Sequence, residues 1–141
     1  METGHEPIFS QSLSIRRARK PDLAQIEEMM ALLFPNASAK MLPRDVFFIA
    51  ERLGVPIGFC HLRMRSSRCY IAGLGVLAQY RAHGVGTSLM RHALHYADLH
   101  GAQSAYLKVR ALNTASKLYL SLGFFEKRVG ETLLLVRKRP S

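Results

Sequence analysis

The sequence predicts an α/β (α+β) domain, a mixed sheet with helices packed on its faces. Three observations carry the expectation. Short segments with strand character are interleaved with longer ones whose apolar residues recur at helical spacing. Their order is strand, helix, three strands, helix, strand, helix and two strands, with a further short helix allowed after the first. The breaks between them carry turn chemistry, at Gly54-Val55-Pro56, Ser66-Ser67, Gly101, Gly123 and Gly130-Glu131.

Residues 1–11 have no useful periodicity and are expected to form a flexible leader to a single domain over 12–141. Leu13 to Ala18 alternates apolar and polar residues, as a strand does. Lys20-Pro21-Asp22 opens a helix, and Leu23, Ile26, Met29, Met30 and Leu33 follow at helical spacing until Phe34-Pro35-Asn36 ends it. Ala37 to Arg44 is ambiguous and allows a second short helix closed by Pro43. A hairpin follows: Val46 to Glu51, a turn at Gly54-Val55-Pro56, and Ile57 to Arg63. The strand from Arg68 to Val76 contains Gly73 and Gly75, which in a strand mark a bulge or a close approach of another backbone. From Thr87 to His100 a helix places Met90, Ala93, Leu94 and Ala97 on one stripe, with Gly101 as its C′ residue. Ala105 to Arg110 is a strand and Asn113 to Leu122 a helix ending at Gly123. Phe124 to Val129 and Thr132 to Arg137 are the last two strands.

At 141 residues, 48% of them hydrophobic, the chain is long enough to bury a core. It has no apolar run long enough to span a bilayer and no signal-peptide pattern at its start, so no membrane association and a soluble, cytoplasmic location are expected. Antiparallel pairing about Ser66-Ser67 would set Cys60 opposite Gly73 and Cys69 opposite Met64, out of register for a disulfide, so both read as reduced core thiols. The net charge of +10 favours polyanionic ligands or partners: an acidic acceptor, nucleic acid, or general solubility would each account for it.

The most informative stretch is Arg81-Ala82-His83-Gly84-Val85-Gly86-Thr87, a glycine-rich turn between a strand and a helix N-terminus. Successive backbone N–H groups there, with the positive end of the helix dipole, form a site for phosphate. No lysine follows Gly86, which excludes a Walker loop, and Leu89 stands where a dinucleotide fingerprint needs its third glycine. The spacing that fits is Arg-x-x-Gly-x-Gly. A second motif lies downstream, Asn113-Thr114-Ala115-Ser116-Lys117-Leu118-Tyr119-Leu120-Ser121-Leu122-Gly123-Phe124. Together with the element order, the pair resembles the GNAT superfamily of acyl-CoA-dependent N-acetyltransferases over about residues 13–138.

The resemblance implies a mixed, mainly antiparallel sheet with a splayed notch between the fourth and fifth strands. Acetyl-CoA is the implied cosubstrate, and a primary amine, on a small molecule or a protein, the acceptor. Leu74, Gly75 and Val76 would hold the pantetheine arm as an added strand does. The N–H groups of Arg81, Ala82, His83, Gly84, Val85, Gly86 and Thr87 would hold the pyrophosphate, with Asn113 and Ser116 as further cofactor contacts. The amine would attack the thioester directly, and Tyr119 would protonate the departing thiolate. In this chain Asn113 stands one residue closer to Ala115 than the family spacing.

A general base is not singled out. The strand from Arg68 to Val76 has no glutamate, leaving Glu51, Asp45, His61, Tyr70 or none. Tyr119 alone would read as core packing, and Gly123 serves as a helix cap in either case. His92, His95 and Asp98 share helical spacing but fall short of a convergent metal set, so no metal is expected. The alternative function is a non-catalytic acyl-CoA-binding or regulatory module; a nucleic-acid protein ranks last because no motif accompanies the charge. Acceptor selectivity is expected from Met29 to Arg44, Ser66-Ser67 and Val129 to Leu133, which carry no signature of a particular amine. A sheet edge near the C-terminus makes a homodimer plausible.

Overall fold

A computed structural model of the chain describes residues 12–35, 41–109 and 115–140, and only the backbone of Ala115 and Ser116. The elements are β1 (Leu13–Arg17), α1 (Leu23–Leu33), β2 (Asp45–Arg52), β3 (Val55–Arg65), β4 (Arg68–Val76), α2 (Val85–Leu99), β5 (Ser104–Val109), α3 (Ala115–Ser121), β6 (Phe125–Val129) and β7 (Thr132–Lys138). A single sheet runs β1-β2-β3-β4-β5-β7-β6. Its neighbours are antiparallel throughout except for the parallel pair β4–β5.

Strand alternation divides the core in two. Cys60 and Leu62 of β3 join Val46, Phe48, Cys69 and Ile71 under α2, which buries Val85, Leu89, Met90, Ala93, Leu94 and Ala97. Phe59, with Phe47 and Ile49, lies on the other face under Ile26, Met29 and Met30 of α1. The helical stripes expected from the sequence are the buried ones. An ion-pair network ties the two ends of this layer: Arg16 donates to Glu51 at 2.9 Å and forks onto Asp22. The guanidinium and the Arg19 N–H together hold the Asp22 carboxyl down to about 2.

The boundaries shift where turn geometry decides them. The first hairpin turns at Leu53-Gly54, both with positive φ (52° and 80°), so β3 already begins at Val55. That two-residue turn matches the twist of its strands. Helix α2 begins at Val85, not Thr87, because Gly84 takes φ 81° and starts the helix there. Gly101 and Gly123, both at φ 92°, close α2 and α3; the N–H of the next residue reaches back to the carbonyls of Ala97 and Tyr119 respectively.

One pairing differs from expectation. Cys60 faces Leu74 rather than Gly73, while Cys69 does face Met64. The ladder jumps from Leu62–Ile71 to His61–Gly73, so Ala72 is an extra residue that shifts all later pairs by one. Both cysteines are buried free thiols. Met41 to Arg44 is not helical; residues 36–40, the leader 1–11 and Asn113 lie outside the described residues. Among the described residues no helix is long and apolar enough to cross a membrane.

Candidate active site

The bulge at Ala72 is what opens the sheet. Strand β4 pairs with β5 only from Arg68 to Tyr70, opposite Ser104 to Tyr106. Beyond that rung β5 stays on β7 as far as Val109–Leu133, while β4 follows β3 to Val76–Gly58. Among the described residues the β5-facing edge of β4 is therefore without a strand partner from Ile71 onward, the splayed notch that the resemblance implied.

A cleft of about 460 Å³ occupies that edge. Its walls include Leu74, Gly75 and Val76 of β4, then Arg81, Ala82, Gly84, Val85, Gly86 and Thr87. Every described cofactor candidate except His83 and Ser116 is thus in one lining, and Ser116 has no described side chain. Leu33 and Phe34 at the end of α1, Tyr80 and Leu118 complete the wall. A Cβ on Gly75 would come within 2.8 Å of Leu33 and Phe59, so only glycine lets α1 end this close to β4.

The loop after β4 is built for an anion. Ala82 and Gly84 both take left-handed conformations, φ 66° and 81°. Ser88 N–H bonds the Gly84 carbonyl at 3.0 Å, whereas those of Val85, Gly86 and Thr87 have no partner among the described residues. Three donors at the positive end of a fifteen-residue helix converge there. Gly86 admits Leu118 of α3, whose Cδ1 would lie 3.1 Å from an added Cβ. The Arg81 Nε donates to the Val76 carbonyl at 3.0 Å, a contact the sequence did not suggest.

Tyr119 projects from α3 into the layer under the sheet rather than onto the cleft wall. Its ring meets Phe124 edge-on at 5.6 Å. Burial, and secondarily the neighbouring Cys60, push its phenol up to about 12, so it keeps its proton at all physiological pH. Cys60, whose neighbouring thiol acts on the phenol, is the β3 partner of Leu74, and Tyr119 and Leu74 pack on the same core cluster as Cys60.

The four base candidates separate clearly. Glu51 sits at the far end of β2, held by Arg16. Tyr70 tilts against Tyr106 at 5.1 Å on the last paired rung. Asp45 and His61 form one cluster: the wholly buried Asp45 carboxylate accepts from His61 Nε2 and Arg63 Nε, each at 3.0 Å, and from the Leu42 N–H. The His61 ring stacks on Phe47 at 4.1 Å. Burial would raise Asp45, but the bonds from His61 and Arg63 overcome it and hold the carboxyl low; burial also lowers His61, against the pull of Asp45.

Asp45→Ala is expected to cost about 2–4 kcal/mol, since it strands a buried imidazole and a guanidinium. Thermal melts check it. Both folded values lie below the unfolded ones, so the unfolded chain binds more protons and stability falls as pH drops through 6.5 and then 3.8. Melts from pH 7 to pH 4 should show the His61 part of that decline, and a steeper one in the variant, whose buried imidazole has lost the carboxylate that favours its protonated form.

A splayed sheet edge that runs into a loop with free backbone donors has the form an acyl-CoA-dependent transferase needs. The acetyltransferase (GNAT) family model matches residues 12–124, and the chain belongs to this family. It catalyses transfer of an acetyl group from acetyl-CoA to an amine. An N-alpha-acetyltransferase of Sulfurisphaera tokodaii is 29% identical over 136 residues, covering 82% of this chain and 81% of that protein. N-alpha-acetyltransferase 50 of Danio rerio is 28% identical over 115 residues, 73% of this chain and 68% of that protein. The PaiA N-acetyltransferase of Thermoplasma acidophilum, solved in complex with coenzyme A, superposes with a TM-score of 0.75 at 17% identity, over 91% of this chain and 99% of that one.

Proposed function

We propose that the chain acetylates the free α-amino end of a polypeptide, with the open edge of β4 holding the pantetheine arm and Tyr119 acting as the acid. The observation that carries this reading is the continuity of one cleft from the unpaired β4 edge to the free N–H groups of Val85, Gly86 and Thr87. In it, the amine nitrogen attacks the thioester carbon, and a backbone N–H beside Val76 stabilises the oxyanion. The C–S bond then breaks, and the thiolate takes the Tyr119 proton. The nitrogen gives its surplus proton to solvent.

The α-amine is favoured by the state of the carboxylates. Asp45 and Glu51 are both committed to ion pairs. Without a strong base, the acceptor must arrive neutral, and an α-amine with pKa near 7.7–8.0 is roughly 10²-fold more available than a lysine near 10.4. The relatives named N-alpha-acetyltransferase support the same class.

The test is thiol release from acetyl-CoA with peptides carrying both a free α-amine and an internal lysine, read by mass spectrometry. Acetylation at the α-nitrogen is expected. Modification of lysine alone, or release only with small amines, would overturn the reading.

A further inference from the structure

Helices α2 and α3 cover one side of the sheet, burying Cys69, Ala105 and Leu135. On the other side α1 covers Phe47, Ile49 and Phe59, and its end reaches Gly75 at the far end of β4. Among the described residues no helix lies over β5, β7, β6 and the paired start of β4 there, and register fixes what they present. Tyr70 faces Tyr106, Tyr106 faces Val136, Lys108 faces Leu134, and Leu134 faces Lys127. Arg65 pairs with Arg68, Arg68 with Ser104, and Ser104 with Lys138, so those three cations share the side. The Arg68 guanidinium lies 5.6 Å from the centre of the Tyr106 ring, as this alternation requires.

Along these four strands no acidic residue falls on this side. Arg65, Lys108, Lys127 and Lys138 are exposed and have no ion-pair partner among the described residues. The face is also placed for the chemistry. Tyr70–Tyr106 is the last rung before the strands part, and Lys108 is the next residue of β5 on the same side. Both the tyrosine rung and Lys108 therefore border the notch on this side, with Lys127 across Leu134 from Lys108.

We infer that this basic, aromatic face is the acceptor platform, and that it selects polypeptides whose residues just after the free α-amine are acidic. The inference rests on the polypeptide reading above and adds to it the charge of the substrate. Acidic side chains complement the unpaired cations, while the two tyrosine rings carry the apolar part of the peptide. The same cations disfavour a positive charge on the incoming amine and so keep it in the reactive neutral form. A polypeptide fits better than nucleic acid, which would match the charge but offers no aliphatic amine to the notch.

The experiment compares peptides with a free α-amine and either Asp/Glu or Asn/Gln at positions two to five, against wild type and Lys108→Glu/Lys127→Glu. Exposed ion pairs are individually weak, so several together should give about a tenfold higher kcat/KM for the acidic peptide at low salt, mostly in KM, declining as salt is added. The double variant should lose or invert that preference, its kcat/KM for the acidic peptide falling to or below that for the neutral one. Equal kcat/KM for both peptides, or an acidic preference that survives the double substitution, would overturn the platform and leave the polypeptide reading standing. Turnover of small amines only would remove both. Tight binding of a single-stranded oligonucleotide that displaces the acidic peptide would reassign the face to nucleic acid.

Discussion

Tyr119→Phe is expected to lower kcat by about 10²-fold or more, the usual contribution of a positioned acid, with the KM for acetyl-CoA little changed. The phenol has no hydrogen-bond partner among the described residues, so the ring of phenylalanine keeps its packing on Phe124 and the fold loses nothing at neutral pH. A lost rate is then a lost proton, not a lost structure. The pH dependence separates the two further. Because the phenol is pushed up to about 12, wild-type turnover should show no alkaline limb from Tyr119 below that pH. Stability behaves oppositely. The unfolded tyrosine ionises near 10 while the folded one retains its proton, so stability present below pH 10 is lost as pH rises toward 12. That loss is on the order of 2 kcal/mol, and the phenylalanine variant should escape it in alkaline melts. Cys69, raised by burial to about 12, adds to the decline in both proteins and does not distinguish them. Unchanged turnover in the variant would remove Tyr119 from the mechanism.

Both motifs were legible in the sequence because each is local: a turn joined to a helix start, and a helix joined to its glycine cap. The loop from Arg81 to Thr87 and the Tyr119 helix need only their own backbone geometry to be recognised. The parts that escaped depend on partners distant in the chain. The bulge was signalled by Gly73 and Gly75, but the extra residue is Ala72, and only the ladder to β3 identifies it. Leu33 and Phe34 read as the end of an amphipathic helix, yet they form a wall of the cleft because Gly75 lets them in. Asp45 and His61 stood as separate candidates for a base and are one buried pair. Arg81, read as a phosphate contact, reaches the Val76 carbonyl across a turn whose path no spacing rule fixes. The basic, aromatic face proposed for the acceptor is spread over four strands and surfaced in the sequence only as excess positive charge.

Gly58→Ala is expected to have the largest effect of any single methyl on the notch. The residue attracted no notice in the sequence, although one glycine inside the apolar run Ile57-Gly58-Phe59 is a mark of close backbone approach. An added Cβ would stand 2.8 Å from the Gly75 carbonyl oxygen, 3.2 Å from Leu89 Cδ1 and 3.5 Å from Val76 Cα. Two of these atoms belong to the β4 backbone and cannot rotate away. The strand must move instead, and the part that moves is the edge on which the pantetheine arm is to lie. Overpacking of this kind costs about 1–3 kcal/mol, and here the KM for acetyl-CoA should rise with it. Gly75→Ala makes the useful contrast, because its Cβ meets side-chain atoms of Leu33, Phe34 and Phe59 rather than backbone, so the end of α1 must shift while the β4 backbone is not pushed directly. Gly54→Ala is the second control: φ 80° strains any alanine there, but nothing lies within 4 Å and the turn is remote from the cleft. Thermal melts with acetyl-CoA titrations should therefore show stability lost in both Gly54→Ala and Gly58→Ala, and cofactor binding weakened only in the second. Equal cofactor binding in the two would mean that the position of β4 does not set the width of the notch.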